Sequence, residues 1–124
     1  MRLYHFTCHH AARRISRRGF LRPWPQPLLD GLPLVWLTDL DVVVDRRALG
    51  LEPHELNCDR TQFRYTVDVD DAEPWARAAP AITALLRRFD RRRFEQDRLP
   101  EHWFITRRPV FALQDRSYRP AVHA

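Results

Sequence analysis

Hydrophobic and polar positions alternate most clearly at residues 62–69. There Phe63, Tyr65, Val67 and Val69 interleave with Gln62, Arg64, Thr66 and Asp68. A period of two predicts a strand with one buried face. A shorter strand is expected at 2–7, where Leu3, Tyr4 and Phe6 favour sheet, and Thr7 is placed to cap the helix after it. From His9 to Arg18 the wheel divides, with Arg13, Arg14, Arg17 and Arg18 on one side and Ala11, Ala12 and Ile15 on the other. That is an amphipathic helix, and Gly19 stands where a left-handed C-terminal residue belongs.

Four prolines, a leucine pair and Gly31 between Pro23 and Pro33 predict a surface loop, which Trp24 and the leucines could turn into a lid. Residues 34–38 form a near-continuous apolar run, a buried strand. A short helix is expected at 40–49, capped by Asp39 and closed by Gly50, with 51–61 irregular. Pro80 is expected to open a long helix to about Asp97, with a stripe of Ile82, Leu85, Leu86 and Phe89, stopped by Pro100. Two further strands fall at 102–106 and 109–114. The order predicts an α+β fold with a small mixed or antiparallel sheet and two main helices. One domain spans 1–118, followed by a tail at 119–124.

Composition adds limits. The chain has 124 residues, 44% of them hydrophobic and 11% aromatic, enough for a core without disulfides or metals. No apolar run approaches the roughly 18 residues that suggest a membrane span, and the start lacks the pattern of a signal peptide. A cytoplasmic protein is therefore expected, with Cys8 and Cys58 as free thiols. Net charge is +5, and all 21 basic residues are arginine. Arginine suits phosphate and carboxylate, so an acidic or nucleotide partner is one reading and a solvated basic surface the other.

Several chemistries lack their residues. The two serines, Ser16 and Ser117, lie in no nucleophile elbow, and three scattered glycines make no phosphate-binding loop. Cys8-His9-His10 and the i, i+4 pair His54/Cys58 are the only hints of zinc, and no CxxC or HExxH supports them. No metal is expected.

One constellation remains: Leu3-Tyr-His-Phe-Thr7, Ile15, Gly19-Phe-Leu-Arg-Pro23 and Val35-Trp-Leu-Thr-Asp39. It resembles the N-terminal half of the ADP-ribosyltransferase superfamily, covering about residues 2–39, with the rest matching by element order. The resemblance implies an ADP-ribosyltransferase-like fold that binds NAD as substrate and passes ADP-ribose to a protein or nucleic-acid acceptor, as in a bacterial or phage effector, toxin or anti-defence factor. It implies that the first strand's backbone grips the nicotinamide amide and that His5 bonds a ribose hydroxyl. By the same resemblance Thr7 would support the pocket, Thr38 would line it from the neighbouring strand, and Trp36 could stack on nicotinamide. The catalytic glutamate has no clear match; Glu101 is the best-placed candidate and Gln62 a weaker one. Arg60 and Arg64 are candidate phosphate ligands, as in the 2′-phosphotransferase branch, or partners of Asp59 and Asp68.

The arginine faces Arg13/Arg14/Arg17/Arg18 and Arg87/Arg88/Arg91/Arg92 suggest a second reading. A non-enzymatic protein would dock through them on nucleic acid or an acidic protein. Convergence of His5, Thr38 and Glu101 on one open cleft separates the two readings.

Overall fold

A computed structural model describes residues 1–52, 58–86 and 88–121. His54 and Arg87 lie outside the described residues. The described chain is an α+β fold of antiparallel sheet and three α-helices.

Strand β1 (Arg2–Thr7) enters α1 (His9–Arg18) through Cys8, whose extended backbone, and not that of Thr7, makes the N-cap. Gly19 ends α1 at φ 82° and donates its N–H to the carbonyl of Ile15. This left-handed geometry is cheap only without a Cβ. The short strands β2 (Phe20–Leu21) and β3 (Trp24–Gln26) follow, then β4 (Leu32–Thr38). The expected 23–33 loop is therefore half strand, since Trp24, Pro25 and Gln26 pair with Leu34, Pro33 and Leu32. Proline tolerates this place because β3 pairs only with β4, on an edge where a missing N–H is harmless. Trp24 is exposed there and Leu29 is buried.

The expected helix at 40–49 shrinks to one 3-10 turn, Arg46–Leu49. Asp45 caps it by accepting from the Arg47 N–H at 3.0 Å, and Gly50 closes it. Asp39 caps nothing there. Strand β5 (Phe63–Asp68) follows, and β6 (Glu73–Pro74) leads into α2 (Trp75–Thr83).

The long helix expected from Pro80 to Asp97 does not form. Pro80 lies inside α2, where its missing N–H and ring weaken the turn. The Thr83 hydroxyl then donates back to the Ala79 carbonyl at 2.8 Å, a bond that competes with helix continuation. A second helix, α3 (Arg91–Glu95), starts afresh at Asp90, whose carboxylate accepts from the Arg93 N–H. Ile82, Leu86 and Phe89 still reach one core cluster, whereas Leu85 points to solvent at 85% exposure. Strand β7 (Trp103–Thr106) matches expectation. The segment 109–114 splits into β8 (Val110–Phe111) and β9 (Leu113–Gln114), joined at buried Ala112.

The main sheet runs β6-β7-β4-β1-β5-β9, with β3 also on β4; β2 and β8 form a separate ribbon. All pairs are antiparallel. Strand β1 sits mid-sheet, paired with β5 from Arg2↔Asp68 to Thr7↔Phe63. One face carries Leu3, Val35, Leu37, Tyr65, Val67 and Phe104 and packs under Ala12 and Ile15 of α1. The opposite face carries Leu34, Trp103 and Ile105 against Trp75, Ala79 and Ile82 of α2. The two layers bury apolar surface worth roughly 25 cal/mol per Å².

Candidate functional site

The site residues expected from sequence centre on β1 and β4, and the structure makes these strands neighbours. They share one paired position, Tyr4↔Thr38. Beyond it β1 and β4 form no further pair, and the half-buried His5 imidazole reaches across from β1 to β4. Its Nδ1 stands 2.9 Å from the Trp36 carbonyl oxygen. A carbonyl only accepts, so Nδ1 carries the proton. Burial pushes the His5 pKa below its ordinary value, against the opposing pull of the Trp36 carbonyl. The ring is therefore neutral at pH 7 and Nε2 holds a lone pair. No described residue bonds to that atom.

Register decides which candidates share a face. Residues opposite each other in an antiparallel pair project to the same side. His5 and Thr7 thus lie with their partners Tyr65 and Phe63, on the α1 side. Thr38 lies with Tyr4 and Trp103, on the other side. His5 and Thr38 do not converge.

Trp36 shares the Thr38 face. Its ring packs on Trp75 at 5.2 Å, on Trp103 edge-on at 5.9 Å and near Phe94 at 6.3 Å. The indole is part of an aromatic cluster, with its Nε1 buried and unpaired. Stacking on a ligand ring would need that cluster to open. Thr38 is buried, and its hydroxyl accepts from the Leu40 N–H at 3.1 Å, fixing the turn after β4.

The two candidate arginines are engaged with protein. Arg60 donates to the Gly50 and Glu52 carbonyls at 3.1 and 2.7 Å. Arg64 pairs with Asp115, donates to the Asp41 carbonyl and lies between the rings of Tyr4 and Tyr118, at 4.9 and 5.1 Å. Neither pairs with Asp59 or Asp68. Asp59 instead accepts from Arg46, Gln62 and Thr61. Burial pushes Asp59 upward, but the Thr61 hydroxyl, Arg46, the Thr61 N–H and Gln62 outweigh it and hold the carboxyl well below the usual range.

Glu101 is exposed in the 3-10 turn Pro100–His102, ahead of β7. Strand β7 lies two strands from β1, and Trp103 is level with Tyr4 through Thr38. Glu101 therefore stands on the order of 10 Å or more from His5. Beside it is a pair that sequence reasoning did not find: His102 Nδ1 lies 2.7 Å from Asp39 Oδ1. The pair follows from the Thr38↔Trp103 register, which no local pattern encodes.

Shallow grooves mark the surface of the described residues. One, of about 180 Å³, is lined by Phe20, Pro109 and Phe111. Another, of about 360 Å³, lies at the Phe63 end of β5, between Gln62, Gln114, Arg116 and Arg119. Neither Cys8 nor Cys58 is in a disulfide. Burial raises the Cys8 thiol, but hydrogen bonds from the Ala11 N–H, Cys58 and the His10 N–H at the start of α1 more than offset this. Among the described residues no group of three or more His, Cys, Asp or Glu is arranged to hold a metal, and no helix is long and apolar enough to cross a membrane. No family model matches this chain, and no curated protein or solved structure matches it either.

Proposed function

We propose that this chain is an ADP-ribosyltransferase-like nucleotide-binding protein that holds NAD or a related ribonucleotide where β1 and β4 part. The observation that carries the reading is the half-buried His5 imidazole bridging from β1 to β4. It is neutral, anchored through Nδ1 to the Trp36 carbonyl, and presents Nε2 as an acceptor. An acceptor is what a ribose hydroxyl, a donor, needs. Thr7 shares the His5 face, and the backbone of β1 past Tyr4 has no β4 partner, which suits a carboxamide seeking one donor and one acceptor. The order β1, α1, left-handed Gly19 and, after two short strands and a 3-10 turn, β4 supports the reading over residues 2–39.

The reading is of binding. His5 and Thr38 lie on opposite faces of the sheet, so the residues expected to carry transfer do not converge, and we assign no transfer step to Glu101. Calorimetric titration of NAD into wild type and His5→Ala tests the reading, with nicotinamide followed by mass spectrometry. Saturable binding weakened roughly fivefold in the variant is expected, the worth of one neutral hydrogen bond. Absence of saturation at millimolar NAD would refute it. A second reading, docking on a polyanion without catalysis, is favoured by the arginines of α1, which have no acidic partner in their helix.

A further inference from the structure

The ribbon of β2 and β8 places aromatic rings beside uncompensated arginines. Phe20 faces Phe111 and Leu21 faces Val110. Leu21 and Val110 point into the core beneath α1. Alternation then turns Phe20, Arg22, Pro109 and Phe111 outward together. Phe111 is 86% exposed, and with Phe20 and Pro109 it lines a groove of about 180 Å³. Phe20 is half-buried, Phe111 is exposed, and neither belongs to a core cluster of the described residues.

Arginines from α1 and from the end of β2 stand beside the groove, and on its far side Arg108, next to Pro109, is paired with Asp71. Arg18, in the last turn of α1, lies over the Phe20 ring at 5.7 Å. Burial, then repulsion from the charges of Arg22 and Arg14, pushes Arg18 below its ordinary pKa. Arg18 Nε is also buried without a partner. Among the described residues the arginine ion pairs involve Arg46, Arg47, Arg64, Arg91, Arg98 and Arg108, and none of these is Arg14, Arg18 or Arg22. An anion seated among them would relieve that repulsion.

We propose that this face binds single-stranded nucleic acid, with a base stacked on Phe111 in the groove beside Phe20 and backbone phosphates held by Arg14, Arg18 and Arg22. Exposed rings interleaved with cations are what an unpaired strand recognises: every base has a face to stack, and every linkage carries a charge. A duplex hides its base faces and an acidic protein offers none, so the rings distinguish this partner from both. The proposal deepens the polyanion reading and is independent of the nucleotide site at His5.

Fluorescence anisotropy with a labelled oligouridylate of about 12 nucleotides tests it, at several salt concentrations. Saturable binding is expected, with a log–log salt slope near −2, since three phosphate contacts on a single strand release about 0.7 ion each. Phe111→Ala, at an exposed position that leaves folding intact, should weaken binding about fivefold or more, and Phe111→Tyr should retain it. Arg18→Gln with Arg22→Gln should lower both affinity and slope. No saturable binding at low salt would overturn both the proposal and the polyanion reading. Binding that ignores the loss of the Phe111 ring, or that polyglutamate or duplex matches at equal charge, would overturn the proposal alone.

Discussion

Arg64 is a structural clamp, and replacing it should show as lost stability. Its guanidinium pairs with Asp115, donates to the Asp41 carbonyl at 2.6 Å and is sandwiched between Tyr4 and Tyr118. It thereby ties β5 to the turn after β4 and to the chain beyond β9. The side chains of Arg64 and Asp115 are 17% and 21% exposed, so solvent screens the pair only partly. Two cation–π contacts contribute about 0.5–1 kcal/mol each. The charged hydrogen bond to Asp115 adds about 1 kcal/mol net, because Asp115 keeps its bonds from the Ser117 N–H and hydroxyl. Arg64→Met should therefore cost about 2–3 kcal/mol, which lowers Tm by roughly 10 °C for a chain of this size. Arg64→Lys should recover only part of this, since an ammonium cannot stack and fork together. Thermal and urea unfolding of Arg64→Met, Asp115→Asn and the double variant would give a coupling of about 1 kcal/mol. A Tm within about 2 °C of wild type for Arg64→Met would refute the reasoning, because a chain of this size moves further than that for 1 kcal/mol. It would return Arg64 to the pool of free phosphate ligands.

The buried Tyr65 hydroxyl joins β5 to α1 by donating to the Ala12 carbonyl at 2.9 Å and bonding Ser16 Oγ at 2.7 Å. Tyr65→Phe should cost about 1 kcal/mol in urea unfolding, and adding Ser16→Ala should cost less than the sum of the single changes. Asp59, held below the usual carboxylate range, contributes stability above the unfolded value of about 3.9 and loses it as the pH falls through that region. Asp59→Asn should be less stable than wild type at pH 7, with the gap narrowing below about pH 4; unfolding curves that stay parallel down to pH 2 would contradict the assignment.

Much of the fold is legible in local pattern. The alternation of β5, the two faces of α1 and the left-handed Gly19 all stand where periodicity and stereochemistry predict them. The misses share a cause. Ile82, Leu86 and Phe89 do reach one core, but an irregular chain carries the last two there, and spacing alone cannot distinguish that path from a helix. The prolines of β3 read as loop because edge position is a property of the sheet. At the candidate site, the shared face of His5 and Thr7 is legible from parity within one strand. The position of Thr38 depends on which β1 residue it opposes, and the Tyr4↔Thr38 register sends it to the other face. The Asp39–His102 pair and the Phe20–Phe111 ribbon are likewise products of register.

The central claim is that His5 accepts a hydrogen bond from a bound ribonucleotide. Nitrogen-15 NMR of its imidazole, followed through an NAD titration near pH 7, reads that atom directly. A neutral ring protonated at Nδ1 is expected in the free protein, with Nε2 shifting saturably toward a hydrogen-bonded value as NAD is added. A ring that is cationic or protonated at Nε2 when free, or an Nε2 signal unmoved at millimolar NAD, would contradict the account.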